Sequence, residues 1–264
     1  GGLGRAVRAR FGSELRGFLR EPAAVGFTLL FPVMMLLLFA SIFDGTVEGS
    51  TVTYSQLYVA GIIASSVMSV GFTSLAIGIT AEREEGMLKR LAGTPMPKAA
   101  YFLGKVGLVL VLGIVEVAVM FGIGTALFGL SVPTDATRWA TFAWVFVLGS
   151  AAATMLGIAA GGLIGSAKAA PAILNVPFVA LQFISGVFIP ESQLPSGVRA
   201  VASLFPLRWL CKGMRSVFLP DSAQSLEVAG SWELPACAAV LVAWCVGGLI
   251  LSLVFFRWNK RGQD

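Results

Sequence analysis

The sequence has no histidine, few charged residues and only three cysteines among 264 residues. The lack of histidine excludes His-based acid–base chemistry, His-containing zinc sites and Ser/His or Cys/His catalytic triads. Charged residues make up 12% of the chain, whereas a soluble domain has about 25%. Two cysteines, Cys237 and Cys245, lie in one apolar run, which favours buried thiols over a disulfide framework. These shortages argue against a water-soluble globule, and they leave no predicted catalytic residue and no predicted metal site.

Hydrophobic residues, by contrast, make up 56% of the chain, and the mean hydropathy is +0.85. A helix that crosses the roughly 30 Å of bilayer hydrocarbon needs about 20 apolar residues. Unpaired backbone groups in lipid disfavour loops and open sheets. The chain therefore predicts an all-α membrane protein with six transmembrane helices, within residues 25–43, 57–80, 103–130, 139–165, 172–189 and 236–256.

Lysine and arginine concentrate before the first apolar run and after the second, fourth and sixth. Because positively charged connections stay on the cytoplasmic side, we expect both termini in the cytoplasm and the chain in the plasma (inner) membrane. The long 190–235 segment is also basic, but the rule binds long outer loops only weakly. Basic residues beside apolar runs indicate anionic lipid headgroups and not nucleic acid as partners. The residues concerned are Arg5, Arg8, Arg10, Arg16, Arg20, Arg83, Lys89, Arg90, Lys98, Lys168, Arg257, Lys260 and Arg261.

The amino-terminal segment 1–24 has an amphipathic pattern. Its apolar residues recur every three or four positions, which indicates a helix lying along the inner membrane surface. The alternative is a solvated basic tail. Glu21-Pro22 ends the segment and turns the chain into the bilayer. We expect a transmembrane domain over 25–256 and a cytoplasmic tail over 257–264. The apolar stripe consists of Leu3, Val7, Phe11, Leu15 and Phe18.

The connection between the second and third runs, within 81–100, has the densest charge in the sequence. Its spacing predicts a short helix on which Glu84, Leu88 and Leu91 share one face. An apolar edge with mixed charges suits docking to a soluble partner. The alternative is a solvated turn beside the membrane.

Two motifs resemble those of ABC-2 type transporter permeases, in particular the daunorubicin-resistance-like exporters. The first is Glu82-Arg83-Glu84-Glu85-Gly86-Met87-Leu88-Lys89-Arg90-Leu91, followed by Thr94-Pro95 and Gly104-Lys105. The second is Ser185-Gly186-Val187-Phe188-Ile189-Pro190, followed by Leu194-Pro195, Phe205-Pro206-Leu207 and Gly213-Met214-Arg215. The resemblance implies that the first motif is the cytoplasmic coupling helix that docks on an ATP-binding subunit. The docking residues would be Glu82, Arg83, Glu84, Glu85, Gly86, Met87, Leu88, Arg90 and Leu91.

The resemblance implies the permease half of an ABC exporter. Such a subunit pairs with a second permease copy or paralogue and with two ATP-binding subunits, which hold ATP and magnesium. The chain has no phosphate-binding loop of its own, because Gly104-Lys105 lacks both the upstream glycine and the following Ser/Thr. Few charges in the apolar runs favour a hydrophobic or amphipathic cargo, such as a drug or a lipid-like compound, with a glycan or an ion as the alternatives.

Polar residues inside the apolar runs are the candidates for a translocation path. Glu116 lies in the middle of the third run, where an ionisable residue is functional by default. Asn175 and Gln182 lie in the proline-containing fifth run. A structural glutamate at this position, protonated or hydrogen-bonded, is an equal alternative. A stand-alone ion-coupled carrier or channel that uses Glu116 is the competing function, whereas an intramembrane enzyme lacks an evident nucleophile–base pair. The second run adds Ser65, Ser66, Ser69, Thr73 and Ser74, which pack or line a path.

Two further patterns concern helix packing and the outer segment. Small residues at steps of four along the fourth run predict a stripe of close helix contact, formed by Gly149, Ala153, Gly157, Gly161 and Gly165. In the 190–235 segment, Arg208, Lys212 and Arg215 share one face of a second amphipathic helix. We expect its apolar face in the outer leaflet and its cations beside lipid phosphates or acidic cargo, with a plain surface helix as the alternative. The resemblance favours external re-entrant helices that form a gate or lateral exit.

Overall fold

The structure is a computed structural model that describes residues 2–43, 45–130 and 132–256, so the predicted tail 257–264 lies outside the described residues. The described residues are largely helical. Their helices are α1 (Gly2–Leu19), α2 (Pro22–Ile42), α3 (Tyr54–Met68), α4 (Leu75–Glu84), α5 (Met87–Ala92), α6 (Lys98–Phe128), α7 (Ala136–Leu163), α8 (Ala170–Ile184), α9 (Ser196–Ala202), α10 (Pro206–Phe218) and α11 (Leu234–Phe255). A π-helical segment, Ser69–Ser74, joins α3 to α4 without a break in the helical path.

Among the described residues, five helical stretches are long and apolar enough to cross a membrane, as expected of an all-α membrane protein. They are Pro22–Ile42, Tyr54–Glu84, Lys98–Phe128, Ala136–Leu163 and Leu234–Phe255. The predicted span 172–189 corresponds to α8, whose 15 residues reach only about 22 Å at 1.5 Å per residue. It stops at Ile184 because the chain turns at Gly186, which has a φ of +83°. The count of six spans is therefore not confirmed.

Local signals in the sequence set several helix boundaries. Thr53 caps α3, because its hydroxyl accepts a hydrogen bond from the backbone N–H of Gln56 while the Gln56 side chain accepts one from the backbone N–H of Thr53. Asp135 caps α7, because its carboxylate accepts a hydrogen bond from the backbone N–H of Thr137. At the carboxyl end of α6, Gly129 has a φ of +63°, which ends the helix.

The two ends of the bundle gather different segments. The basal end comprises α1, α5, the connections 85–97 and 164–169, and Phe256. Glu84 accepts a hydrogen bond from the backbone of Ala167 there, and Gly162 of α7 lies close to Phe255 of α11. The described basic segments that the sequence predicted to share one side thus meet at one end. The cytoplasmic position of that end stays a prediction.

The distal end comprises residues 45–53, 129–130, 132–135 and 185–233. Gln56 at the start of α3 donates a hydrogen bond to the carbonyl of Gly129, and the hydroxyls of Thr51 and Ser222 lie 3.2 Å apart. The predicted outer segment 190–235 is therefore packed onto the neighbouring loops and is not a separate extension.

Helix α7 is the central helix, since it packs against α3, α4, α6, α10, α11 and the π segment. Its small residues allow this. A Cβ on Gly157 would collide with the carbonyl oxygen of Gly71 in the π segment, and Ala153 also lies against Gly71. Gly149 and Gly161 make room for Leu210 and Ile79. The predicted fifth member, Gly165, lies beyond the end of α7 and has no atom within 4 Å of a Cβ position.

We predict that Gly157→Ala lowers the free energy of unfolding by about 1–3 kcal/mol, because the added methyl group overpacks a backbone contact. The matched control is Gly122→Ala in α6, where nothing lies within 4 Å of the new atom. There the higher helix propensity of alanine should stabilise the protein by up to about 1 kcal/mol. Unfolding of the purified protein in mixed micelles measures both. Equal effects of the two substitutions would contradict the packing role of Gly157.

Candidate functional site

A buried ion network ties α1 to α4 and α6 at the basal end. Lys105 Nζ lies 2.5 Å from Glu82 Oε1 and 2.9 Å from Glu14 Oε2. Arg10 pairs with Glu14 and lies 3.4 Å from Glu82 Oε2, while the Tyr101 hydroxyl donates to that oxygen at 3.0 Å. The exposed fraction of the charged side chains runs from 3% for Lys105 to 16% for Glu82. Such low exposure makes these pairs mutually dependent, because loss of one partner leaves a buried charge uncompensated.

Sequence reasoning assigned Glu82 to a docking helix and missed its partners. A signal was present, since Lys105 lies inside the predicted span 103–130, where a charge calls for a partner. Arg10 and Glu14 also have the i, i+4 spacing of a helical ion pair. The predicted helix of segment 1–24 is confirmed as α1, and Arg10 and Phe11 pack on Gly104 and Gly107 of α6. Its position along a membrane surface stays a prediction.

The predicted docking helix over 82–91 is divided in two. Helix α4 ends at Glu84, Gly86 has a φ of +75°, and α5 begins at Met87. Arg83 is buried and donates hydrogen bonds to the carbonyls of Gly161 at 2.9 Å and of Ile164. Because these carbonyls belong to the last turn of α7, Arg83 caps that helix. Arg83 therefore links the start of the connection 85–97 to the start of the connection 164–169.

One residue of the predicted docking face, Leu88, is not on the surface. Leu88 is fully buried against the aromatic rings at the bottom of α6, and Leu91 packs beside it. The exposed side chains of this segment for which the described chain provides no side-chain hydrogen bond or ion pair are Glu85, Met87 and Arg90, which we call the basal patch. Met87 is 40% exposed and is the apolar member of the patch. The use of these residues in docking stays a prediction.

A cavity of about 280 Å³ lies between α2, α3, α6 and α8. All three residues predicted for the translocation path line it, Glu116 from α6 and Asn175 and Gln182 from α8. The π segment borders the same space, and π-helical turns occur frequently at functional sites. Four hydroxyl side chains of the second predicted span add to the polar wall: Ser65, Ser66, Ser69 and Ser74.

Glu116 is the distinctive group of this cavity. It is 3% exposed, and neither carboxyl oxygen has a hydrogen-bond partner among the described residues. Gln182 is engaged, since its Nε2 donates to Ser65 Oγ at 2.6 Å. The predicted alternative of a hydrogen-bonded structural glutamate therefore finds no partner in the described part of the chain, whereas a protonated structural glutamate stays a prediction.

At the distal end, the expected exposure of the cations on α10 to lipid phosphates is wrong. Lys212 is fully buried and Arg215 is 3% exposed. The apolar face of α10 packs on α3, α7 and α11, and the cationic face meets carboxylates of the same outer segment. The helix is amphipathic as predicted, but its polar face is directed into the protein.

This distal ion network contains three cations and three carboxylates. Burial lowers the pKa of Arg215, but the negative charge and the hydrogen bond of Glu227 more than offset this effect, so the pKa is raised. Arg215 also donates to the carbonyl of Gly186 at 3.0 Å, which fixes the turn after α8. The pairs are Arg208 with Glu191, Lys212 with Glu233 at 2.5 Å, Glu191 at 3.3 Å and Glu227 at 3.5 Å, and Arg215 with Glu227 at 2.6 Å.

Comparison with known proteins places these features in a family. The sequence model described as "ABC-2 type transporter" matches residues 5–219. The inner membrane transport permease YadH of Escherichia coli K12 is 26% identical over 224 residues, which cover 81% of this chain and 83% of that protein. The transport permease ycf38 of Pyropia yezoensis is 24% identical over 245 residues, which cover 89% of this chain and 79% of that protein. The matched region contains both ion networks except Glu227 and Glu233, and it contains the whole cavity lining.

For the distal network, we predict that Lys212→Met lowers the free energy of unfolding by about 3–5 kcal/mol, because it leaves the buried carboxylates of Glu191 and Glu227 and the half-buried carboxylate of Glu233 facing two arginines. The matched control, Lys168→Met, removes an exposed charge and should change it by no more than about 0.5 kcal/mol. The double variant Lys212→Met/Glu233→Gln should recover part of the loss in the same unfolding assay. Additive effects of the two substitutions would contradict a direct pair.

For the basal network, we predict that Lys105→Ala loosens α1. Loss of hydrogen bonds to charged groups removes about 1.5–3 kcal/mol, so amide hydrogen exchange over Gly2–Leu19 should accelerate about tenfold or more. Exchange over Pro206–Phe218 should not change. The control is Lys98→Ala, which removes an exposed lysine from the same helix. Unchanged exchange in α1 would show that other contacts hold the helix.

Proposed function

The chain belongs to the ABC-2 type transporter family, and from this premise we propose that it is the permease subunit of an ATP-driven exporter. It is a multi-pass membrane transport permease. The proposal adds the source of energy, the direction of transport and the route by which force reaches the membrane helices.

The observation that carries the proposal is the attachment of the basal patch to the rest of the bundle. Immediately before α5, Glu82 is bound to α1 and α6, and Arg83 and Glu84 are bound to the connection between α7 and α8. A displacement of the patch therefore acts on four neighbouring helices at once. This arrangement supports the docking of a soluble subunit at Glu85, Met87 and Arg90.

In the proposed mechanism, two ATP-binding subunits bind ATP and magnesium and close on each other. Their closure pushes on the basal patch of this chain and of a second permease copy or paralogue. The basal end and both termini lie in the cytoplasm, and the complex lies in the inner membrane. The resulting shift of the stretch Tyr54–Glu84, which carries Ser65, Ser66 and Ser69 in the wall, alternately opens and closes the cavity. Its aromatic walls favour a hydrophobic or amphipathic cargo, such as a drug or a lipid-like compound.

The competing function is an ion-coupled carrier in which Glu116 binds the driving ion. The absence of a partner for Glu116 among the described residues favours this reading. The two functions differ in one requirement, because the carrier needs no soluble subunit. Uptake driven by an ion gradient in vesicles that contain this chain alone would support the carrier.

We predict that Met87→Asp reduces copurification of the ATP-binding subunit about tenfold or more, because a charge replaces an apolar contact at the centre of the patch. Thermal stability of the permease should not change, since Met87 is exposed. The matched control is Val132→Asp, which places the same charge on an exposed apolar position at the distal end. Retention of the ATP-binding subunit by Met87→Asp at the level of the control would refute docking at this patch.

A further inference from the structure

The charge inside the cavity is isolated. Among the described residues that line this space, Glu116 is the one ionisable side chain, and no basic residue is among them. The charged groups of the basal network pair within that network, and those of the distal network pair within theirs, at opposite ends of the bundle. Glu116 therefore differs from every other buried carboxylate of the described chain, each of which has a cation beside it.

An unpaired carboxylate in an apolar surrounding is stable only in its neutral form, unless a cation enters with it. The ionised form would gain strongly from a partner that also donates hydrogen bonds, because the attraction between opposite charges is large where water is excluded. The group that complements this site is therefore a positively charged hydrogen-bond donor within reach of Glu116.

The other residues of the cavity wall indicate the chemistry of the rest of the ligand. Four phenylalanines line the cavity, and the faces of aromatic rings attract organic cations as well as apolar groups. Serine hydroxyls and the side-chain amides of Asn175 and Gln182 provide a small polar area beside them. Predominantly apolar walls with a few convergent polar groups are typical of sites for small organic molecules. The phenylalanines are Phe27, Phe31, Phe178 and Phe188.

Two residues that line the cavity are also exposed on the outside of the bundle, which points to access from its side. Phe27 of α2 is 67% exposed and Val179 of α8 is 48% exposed, although both line the cavity. A ligand that enters between these helices comes from the apolar surroundings of the bundle. Entry along this route requires a compound that dissolves in lipid, which a small inorganic ion does not.

We propose that the cavity binds a hydrophobic amine, whose ammonium group pairs with Glu116 while its apolar body lies against the phenylalanines. This inference deepens the proposed function, because it names the class of compound that the permease would carry. The binding itself requires neither ATP nor a second subunit.

The test compares two probes that differ in charge and hardly in shape, 1-naphthylmethylamine and 1-naphthylmethanol. Binding of each to the purified full chain in lipid nanodiscs is measured by naphthyl fluorescence, with empty nanodiscs as the background. A hydrogen bond to a charged group contributes about 1.5–3 kcal/mol, so the amine should bind about tenfold or more tightly than the alcohol. Glu116→Gln should abolish this preference by weakening binding of the amine, and continued binding of the alcohol to this variant shows that the cavity is intact.

The matched control is Glu48→Gln, which removes an exposed carboxylate at the distal end and should keep the preference for the amine. Equal affinities of the two probes for the unmodified chain would overturn the proposal. So would an unchanged preference in Glu116→Gln, or the failure of both probes to bind. Because no ATP-binding subunit is present, these outcomes leave docking at the basal patch untouched, and loss of docking in Met87→Asp leaves probe binding unaffected.

Discussion

A charge that leaves water for a protein or lipid interior is costly unless an opposite charge or several hydrogen bonds meet it there. This constraint organises the molecule, because the chain has few charges and buries many of them. Glu82 and Lys105 bind α4 to α6, and Lys212 binds α10 to the loops around it. The bundle is thus fixed at both ends by paired charges, while at its centre Glu116 has no partner within the described part of the chain.

Close packing on one side of the second spanning stretch explains why space can remain on the other. The π segment presses the backbone of Gly71 against Ala153 and Gly157 of α7, where no room exists for a larger side chain. On its opposite side, Ser69 and Ser74 border the cavity. A helix that is held rigidly along one face can line a cavity on the other without collapsing into it.

Features that depend on neighbouring residues could be predicted from the sequence, whereas contacts between distant segments could not. Bilayer thickness sets the length of an apolar run, so five of the six predicted spans correspond to long apolar helical stretches of the described residues. Polar residues within the predicted spans mark the cavity at Glu116, Asn175 and Gln182. The periodicity of α10 shows which residues share a face. It does not show what that face meets, because Glu227 and Glu233 approach Lys212 only after the outer segment folds back. Leu88 is inside for the same reason, since its partners come from distant helices.

Under the proposed function, the cavity and the basal end are connected by a single element. The stretch from Tyr54 to Glu84 carries Ser65 and Ser69 in the cavity wall and Arg83 at the α7 cap. A shift of its basal end must therefore either move the wall or bend the helix between them. The π segment lies at that position, and wide turns of this kind are where helices bend. Since α7 holds the segment at Gly71, we infer that bending there changes the opening between α2 and α8 and leaves the packed face in place.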